Sequence, residues 1–280
     1  QIAWADYIFV SAMLIQADSA RKVIARCHNQ GKTVIAGGPL FTTGHAGFPE
    51  VKHFVLGEAE NVMPELVADM ITGDLKALYH HDERPDIRLT PAPRWDLIKF
   101  KHYALMPLQF SRGCPFNCEF CDIIVMNGRI PRLKTSEQII RELNSLVDAG
   151  WRDPVFIVDD NFIGNKAQVK AFLRELIAWK HRRGITLQFT TEASLNLADD
   201  PELLDLMVRA GFKKVFVGLE TPQEESLLEC AKTQNANRDM LTAVKTIQKA
   251  GIEVMGGFII GFDSDQPNIF ERQMKFIQEA

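Results

Sequence analysis

Pro107-Leu108-Gln109-Phe110-Ser111-Arg112-Gly113-Cys114-Pro115-Phe116-Asn117-Cys118-Glu119-Phe120-Cys121 joins a short apolar strand, Pro107–Phe110, to a loop carrying three cysteines. From that strand onward, strand and helix patterns alternate. Thr135 and Gln138 predict a capping box ahead of a helix that buries Ile139, Ile140, Leu143, Leu146 and Val147. Strand Val155–Val158 follows, then a helix burying Val169, Phe172, Leu173, Leu176 and Ile177, then strand Thr186–Thr191. Asp200, Pro201 and Gly211 bracket the next helix as N-cap, first residue and stop. Strand Lys214–Val217 leads to Thr221-Pro222-Gln223-Glu224, which predicts a second capping box with Thr221 as N-cap. A helix from Arg238 to Ala250 and a strand from Glu253 to Ile260 close the series. Alternation of this kind predicts an α/β fold whose parallel sheet curls into a partial, open barrel of five β/α units, with one strand beyond residue 280. Chemistry in such folds sits on loops after the strands. Ser111–Asp122, Asp159–Asn161, Glu192–Ser194, Gly218–Thr221 and Gly261–Asp263 each follow a strand, so one shared site is expected.

Upstream, residues 1–73 alternate as well. Asp6–Ser11, Thr33–Ala36 and His53–Leu56 read as strands, and Ala17–Gln30 and Asn61–Ile71 as helices, the latter burying Val62, Leu66, Val67 and Met70. Gly37-Gly38-Pro39 and Gly57-Glu58 end two of the strands, as in the second half of a Rossmann-like domain. Residues 74–104, with Pro85, Pro91 and Pro93 among charges, read as a linker. Val254–Phe262 reads as a buried strand. The chain opens on Gln1 and ends within a helical pattern, so it is expected to continue at both ends.

Composition narrows the class. The 280 residues are 46% hydrophobic and 24% charged, as in a water-soluble globular protein. A net charge of −4 gives no general attraction to nucleic acid. No apolar run is long enough to span a bilayer. Five cysteines, three of them within eight residues, argue against a disulfide framework and suit a reducing cytoplasm.

Cys114, Cys118 and Cys121 are separated by three and then two residues. Three thiolates on one short loop can bind three corners of a [4Fe–4S] cube, leaving the fourth iron open to a small chelating molecule. A structural zinc site is the alternative. It needs four ligands, and His102 and Asp122 sit at no usual spacing while Cys27 and Cys230 are remote. His28, His45, His53, His80 and His81 have no ligand spacing either.

The cysteine loop, including Phe120 before the third cysteine, resembles the hallmark of the radical S-adenosylmethionine (radical SAM) superfamily. Residues 111–123, 158–166, 191–200 and 257–263 are similar to its cobalamin-binding proteins, in the branch that contains hopanoid C-2 methyltransferase. The resemblance implies a [4Fe–4S] cluster held by Cys114, Cys118 and Cys121, with S-adenosylmethionine chelating the open iron. One-electron cleavage then gives a 5′-deoxyadenosyl radical that takes hydrogen from substrate. It makes residues 1–73 the C-terminal part of a cobalamin-binding domain and residues 105–280 a radical SAM partial barrel of the (β/α)6 type.

Site residues follow from the same resemblance. Phe120 belongs to the cofactor wall. The loop Asp159-Asp160-Asn161 binds the methionine amino group, or else caps the following helix. Glu192, with Ser194 beside it, accepts from the ribose, or else pairs with a neighbouring base. Gly218 allows backbone approach to a ligand, and Glu220 orients its neighbours. Gly37, Gly38 and Gly57 line the corrin or its nucleotide tail. The usual upstream Asp-x-His-x-x-Gly is absent from this sequence.

The implied activity is methyl transfer to an unactivated carbon of a small-molecule or lipid substrate, with a donor such as flavodoxin or ferredoxin. The implied location is cytoplasmic, with or without membrane association. A radical enzyme performing oxidation, cyclisation or rearrangement without methyl transfer is the alternative. Methylthiotransferase fits less well, since Cys27 is the one cysteine upstream of the loop. A non-catalytic metal-binding or electron-transfer module leaves the strand-end acids unexplained.

Overall fold

A continuous apolar run such as Val34-Ile35-Ala36 presents side chains to both faces of a sheet, so both need cover. The computed structural model describes residues 2–280. It divides after Thr90 into two compact units. The first contains β1 (Tyr7–Ser11), α1 (Ala17–Asn29), β2 (Thr33–Gly37), α2 (Pro39–Gly44), β3 (His53–Val55), α3 (Met63–Thr72) and β4 (Leu78–Tyr79). The four strands are parallel and ordered as in sequence. Val34, Ala36 and Phe54 pack with Ile24 and Cys27 of α1 and Phe41 of α2. Ile35, Val55 and Tyr79 pack on the other face with Leu66 of α3. Met63, Leu66 and Met70 make the inner stripe of α3, which leaves Val67 44% exposed instead of buried.

Residues 74–104 are divided between the units rather than free as a linker. Leu78 and Tyr79 pair with β3. Trp95 packs into the core of the second unit, and its indole N–H donates to Ser145 at 3.1 Å. A two-residue strand and a lone tryptophan among prolines carry no periodicity to reveal them.

The second unit runs β5 (Met106–Leu108), β6 (Ser111–Arg112), α4 (Ile123–Met126), β7 (Arg132–Leu133), α5 (Ser136–Asp148), β8 (Val155–Ile157), α6 (Lys166–Arg183), β9 (Phe189–Glu192), α7 (Pro201–Ala210), β10 (Phe212–Glu220), α8 (Glu224–Glu229), α9 (Met240–Lys249), β11 (Glu253–Phe258) and α10 (Ile269–Glu279). The strands β5, β8, β9, β10 and β11 lie side by side in that order, all parallel, giving the five expected β/α units. One face is buried under α5, α6, α7 and α9. The other carries Phe156, Thr190, Glu192 and Phe216, none of them fully buried. Cap chemistry is as read: the Thr135 hydroxyl accepts from the Gln138 amide at 3.2 Å, Asp200 accepts from the Leu203 amide at 3.1 Å, and Gly211 is left-handed at φ 101°.

Two expectations fail here. Thr221 is not an N-cap: β10 runs on to Glu220, which turns with φ 66°, and α8 starts only at Glu224 behind Gln223. Thr221 instead accepts from the Gln223 amide at 3.2 Å. Residues 254–262 are not buried either. Among the described residues β11 pairs with β10 alone, and Met255 and Ile260 are 39% and 49% exposed.

A ladder of rings anchors the loops that matter. Phe110 stacks on Phe172 at 4.7 Å, and Phe162 and Phe189 stack on Phe212 at 5.1 and 5.4 Å. Phe110 precedes the cysteine loop and Phe162 follows Asn161, so both loops are rooted in one aromatic core. Among the described residues, no helix is long and apolar enough to cross a membrane.

Candidate active site

The cysteine loop leaves the β6–β7 hairpin through Gly113, whose φ is 101°. A side chain there would meet the carbonyls of Gly128, Ile130 and Asn127 at 2.9–3.3 Å, so glycine is required on two counts. The loop closes through the Cys114 amide on the Gly128 carbonyl at 3.1 Å. Cys114, Cys118 and Cys121 then line one cavity with Phe116, Phe120, Ile123 and the ends of β8, β9 and β10.

Burial pushes the thiols of Cys114 and Cys121 up, and the nearby Cys118 adds to both shifts. Three thiolates so placed repel one another unless bound positive charge joins them. That donor set fits an iron–sulfur cube. Neither His102 nor Asp122, the candidates for a fourth zinc ligand, lines the cavity, and among the described residues no three His, Cys, Asp or Glu side chains surround a single ion.

The loop after β8 serves two purposes. Asp159 is 1% exposed and points into the protein, accepting from the Phe110 amide at 2.7 Å and the Ser111 hydroxyl at 2.6 Å. Burial raises its pKa to about 7, against the pull of those bonds. Asp160 reaches the cavity, and it also accepts from the Gly113 amide at 2.7 Å and Asn127 at 2.9 Å. Both acids therefore hold the cysteine loop. Asn161 faces the cluster side: its amide donates to the Cys114 sulfur at 3.9 Å and to Ser194 at 3.2 Å. The cap of α6 is Asn165, not this trio.

Glu192 and Ser194 line the same cavity from the end of β9. Among the described residues, no base pairs with Glu192, so its carboxylate is free. Burial, with help from Asp160, pushes its pKa up.

The wall at the end of β10 is where sequence reasoning fell short. Glu220 is buried and accepts from Lys232 at 2.7 Å, and the Lys232 ammonium stands 5.6 Å over the Phe120 ring. Gly218 makes room for this pair, since a side chain there would collide with the Glu220 carboxylate and lie 2.8 Å from the ammonium. Gln234 donates to the Cys118 sulfur at 3.5 Å, and Asn235 donates to the carbonyls of Gly218 and Leu219 at 2.9 and 3.2 Å. Lys232 and Gln234 line the cavity. Nothing in the pattern Cys230-Ala231-Lys232-Thr233-Gln234-Asn235 marked them in advance.

Gly37, Gly38 and Gly57 belong to the first unit, at the C-terminal ends of β2 and β3, whose register sets Gly37 beside Val55. Gly38 has φ 83°, and a side chain there would collide with the Ser11 hydroxyl. Gly57, at φ 76°, donates its amide to Thr42 at 3.0 Å.

The sequence model of the radical SAM superfamily matches residues 108–277, spanning the cysteine loop and strands β8, β9, β10 and β11 of the five-stranded sheet. This chain belongs to that superfamily. A radical SAM domain implies a [4Fe–4S] cluster and S-adenosylmethionine. An uncharacterised methyltransferase of Synechocystis sp. is 44% identical over 99% of this chain and 52% of its own length. The hopanoid C-2 methylase of Rhodopseudomonas palustris is 39% identical over 99% of this chain and 54% of its own. The chain thus spans about half the length of these curated relatives. Among solved structures, the radical S-adenosylmethionine methyltransferase TsrM of Kitasatospora setae shares the fold with a TM-score of 0.79, at 18% identity, over 99% of this chain and 61% of that one. The cobalamin-dependent S-adenosylmethionine radical enzyme OxsB shares it at 0.76 and 18%, over 97% and 43%.

Proposed function

We propose that this chain is the core of a cobalamin-dependent radical SAM methyltransferase acting on an unactivated carbon of a small-molecule or lipid substrate. One observation carries the reading: Cys114, Cys118 and Cys121 share a single cavity wall with Asn161, Glu192 and Ser194. Similarity to a hopanoid methylase over 99% of the chain favours methyl transfer. The fold shared with TsrM, whose structure holds cobalamin and a [4Fe–4S] cluster, favours the cofactor pair.

When bound, the cluster supplies one electron to S-adenosylmethionine, and cobalamin supplies the methyl group. The chain's own residues do the rest. Cys114, Cys118 and Cys121 would be the protein ligands of the cluster. Asp159 and Asp160 keep the loop in shape through their donors at Phe110, Ser111, Gly113 and Asn127. Glu192, with no partner among the described residues, accepts from a diol such as ribose. Phe116, Phe120 and Phe216 give the cavity apolar walls. In the first unit, Gly37, Gly38 and Gly57 offer bare backbone at the strand ends to a corrin or its nucleotide tail. An external donor such as flavodoxin or ferredoxin supplies electrons, in a reducing cytoplasm.

The test uses full-length protein reconstituted anaerobically with iron and sulfide. It is expected to cleave S-adenosylmethionine when reduced and to transfer methyl groups only with cobalamin. Cys118→Ala loses both the cluster spectrum and cleavage. Tight zinc binding with no cluster overturns the reading entirely. Cleavage with no cobalamin requirement for turnover leaves a radical enzyme that is not a methyltransferase.

A further inference from the structure

Gln234 is an odd residue to find where it is. Its side-chain oxygen is buried and has no hydrogen-bond partner among the described residues. A buried amide left half-satisfied costs stability, and a leucine of similar size would avoid the cost. Its other end explains it: the amide nitrogen lies 3.5 Å from the Cys118 sulfur, in donating geometry.

The segment around Gln234 is fixed from four directions. The Cys230 carbonyl accepts from the Glu119 amide, inside the cysteine loop, at 2.9 Å. Lys232 is tied to Glu220 by the buried ion pair, and its amide donates to the Leu227 carbonyl at 2.8 Å. Asn235 is fully buried and clamps the Gly218 and Leu219 carbonyls near the end of β10. Ala231 pays for the tight path with φ 55°. The strap from Cys230 to Asn235 therefore delivers one N–H to one cluster-ligand sulfur with little freedom to move away.

We propose that Gln234 is a positioning residue that sets the reduction potential of the cluster held by Cys118. This rests on the cluster assignment above. A donor on a ligand sulfur stabilises the more negative, reduced form and so raises the potential. Asn161 stands in a similar relation to Cys114, but its amide is shared with Ser194. The strap, with its single donor on Cys118, is the cleaner case.

The experiment is a redox titration of full-length reconstituted protein, followed by the paramagnetic signal of the reduced cluster, without substrate. Gln234→Leu removes the donor and keeps the bulk. It is expected to shift the reduction equilibrium about tenfold toward the oxidised form, a fall of about 59 mV for one electron. Gln234→Glu, which sets a carboxylate against the sulfur, is expected to fall further. Thr233→Val, on the exposed side of the same strap, is expected to keep the wild-type potential at full iron and sulfide content. Equal potentials in wild type, Gln234→Leu and Gln234→Glu, each with a full cluster, overturn the inference and leave the cluster reading standing. Should wild type itself hold no four-iron cluster, the reading beneath the inference has failed, and the inference with it.

Discussion

At the end of β8, Asp159 and Asp160 meet four protein donors between them; at the end of β9, Glu192 meets none among the described residues. All three acids stand at a strand end, and two of them, Asp160 and Glu192, line the same cavity. The end of β10 repeats the first pattern, with Glu220 bound to Lys232. Position at a strand end thus brings an acid near the chemistry without saying whom it serves. The partner decides. A carboxylate whose lone pairs are taken by the protein is part of the scaffold, and one left open is available to a ligand.

The comparison breaks most visibly at β10. Lys232→Met leaves the buried Glu220 carboxylate unpaired, next to a backbone turn at φ 66°. Breaking such a pair costs about 3–5 kcal/mol. Denaturant unfolding of the reduced protein should show that loss, and the double variant Glu220→Gln, Lys232→Met should recover most of it. If the single variant unfolds at the wild-type midpoint, the pair is not holding this wall.

At β8 the comparison sharpens with pH. The pKa of Asp159 is about 7 in the fold against 3.8 free, because burial outweighs its hydrogen bonds. The native state therefore binds the proton more tightly than the unfolded chain. The stability this gives is complete below about 3.8 and is lost as pH rises through about 7. Asp159→Asn does not titrate and lacks that slope, while its one carbonyl oxygen can serve one of the two donors. Wild type should lose stability relative to the variant between pH 4 and pH 7, by up to about 4 kcal/mol at 1.36 kcal/mol per pH unit. Parallel stability curves for the two proteins would show that the carboxylate is already ionised in the fold.

Much of this was legible in the sequence because the signals are local. Thr135 with Gln138, and Asp200-Pro201 with Gly211, declare their helices within a few residues. The cysteine spacing declares its own chemistry, and Asn161, Glu192 and Ser194, singled out by their place at strand ends, line one cavity with the cysteines. What stayed hidden depends on long-range partners. Gln234 and Cys118 are 116 residues apart in the chain, and no period or spacing links them. Gly218 does line the cavity, as its reading as a place for backbone approach to a ligand requires, but nothing local showed that a side chain there would also meet Glu220 and Lys232. The reading of Thr221 as a cap assumed that β10 stops at Val217, whereas pairing with β11 extends it to Glu220.

Glu192 gives the smallest effect on stability and the most informative one. Burial first, and Asp160 second, disfavour its charged form, so its pKa is raised. Whatever stability its protonated form gives is therefore lost as pH rises, and at neutral pH the charge is a cost with no protein partner to offset it. Glu192→Gln should make the protein slightly more stable at pH 7, on the order of 1 kcal/mol. The same change should leave the cluster spectrum intact and weaken S-adenosylmethionine binding about tenfold, the loss of roughly 1.4 kcal/mol expected when one charged acceptor is neutralised. Opposite signs for stability and affinity are the signature of a residue kept for a ligand. The measurement is paired unfolding and equilibrium binding on the reconstituted protein. A variant that is destabilised, or that binds S-adenosylmethionine as wild type does, would move Glu192 into the company of Asp159, as one more acid spent on the scaffold.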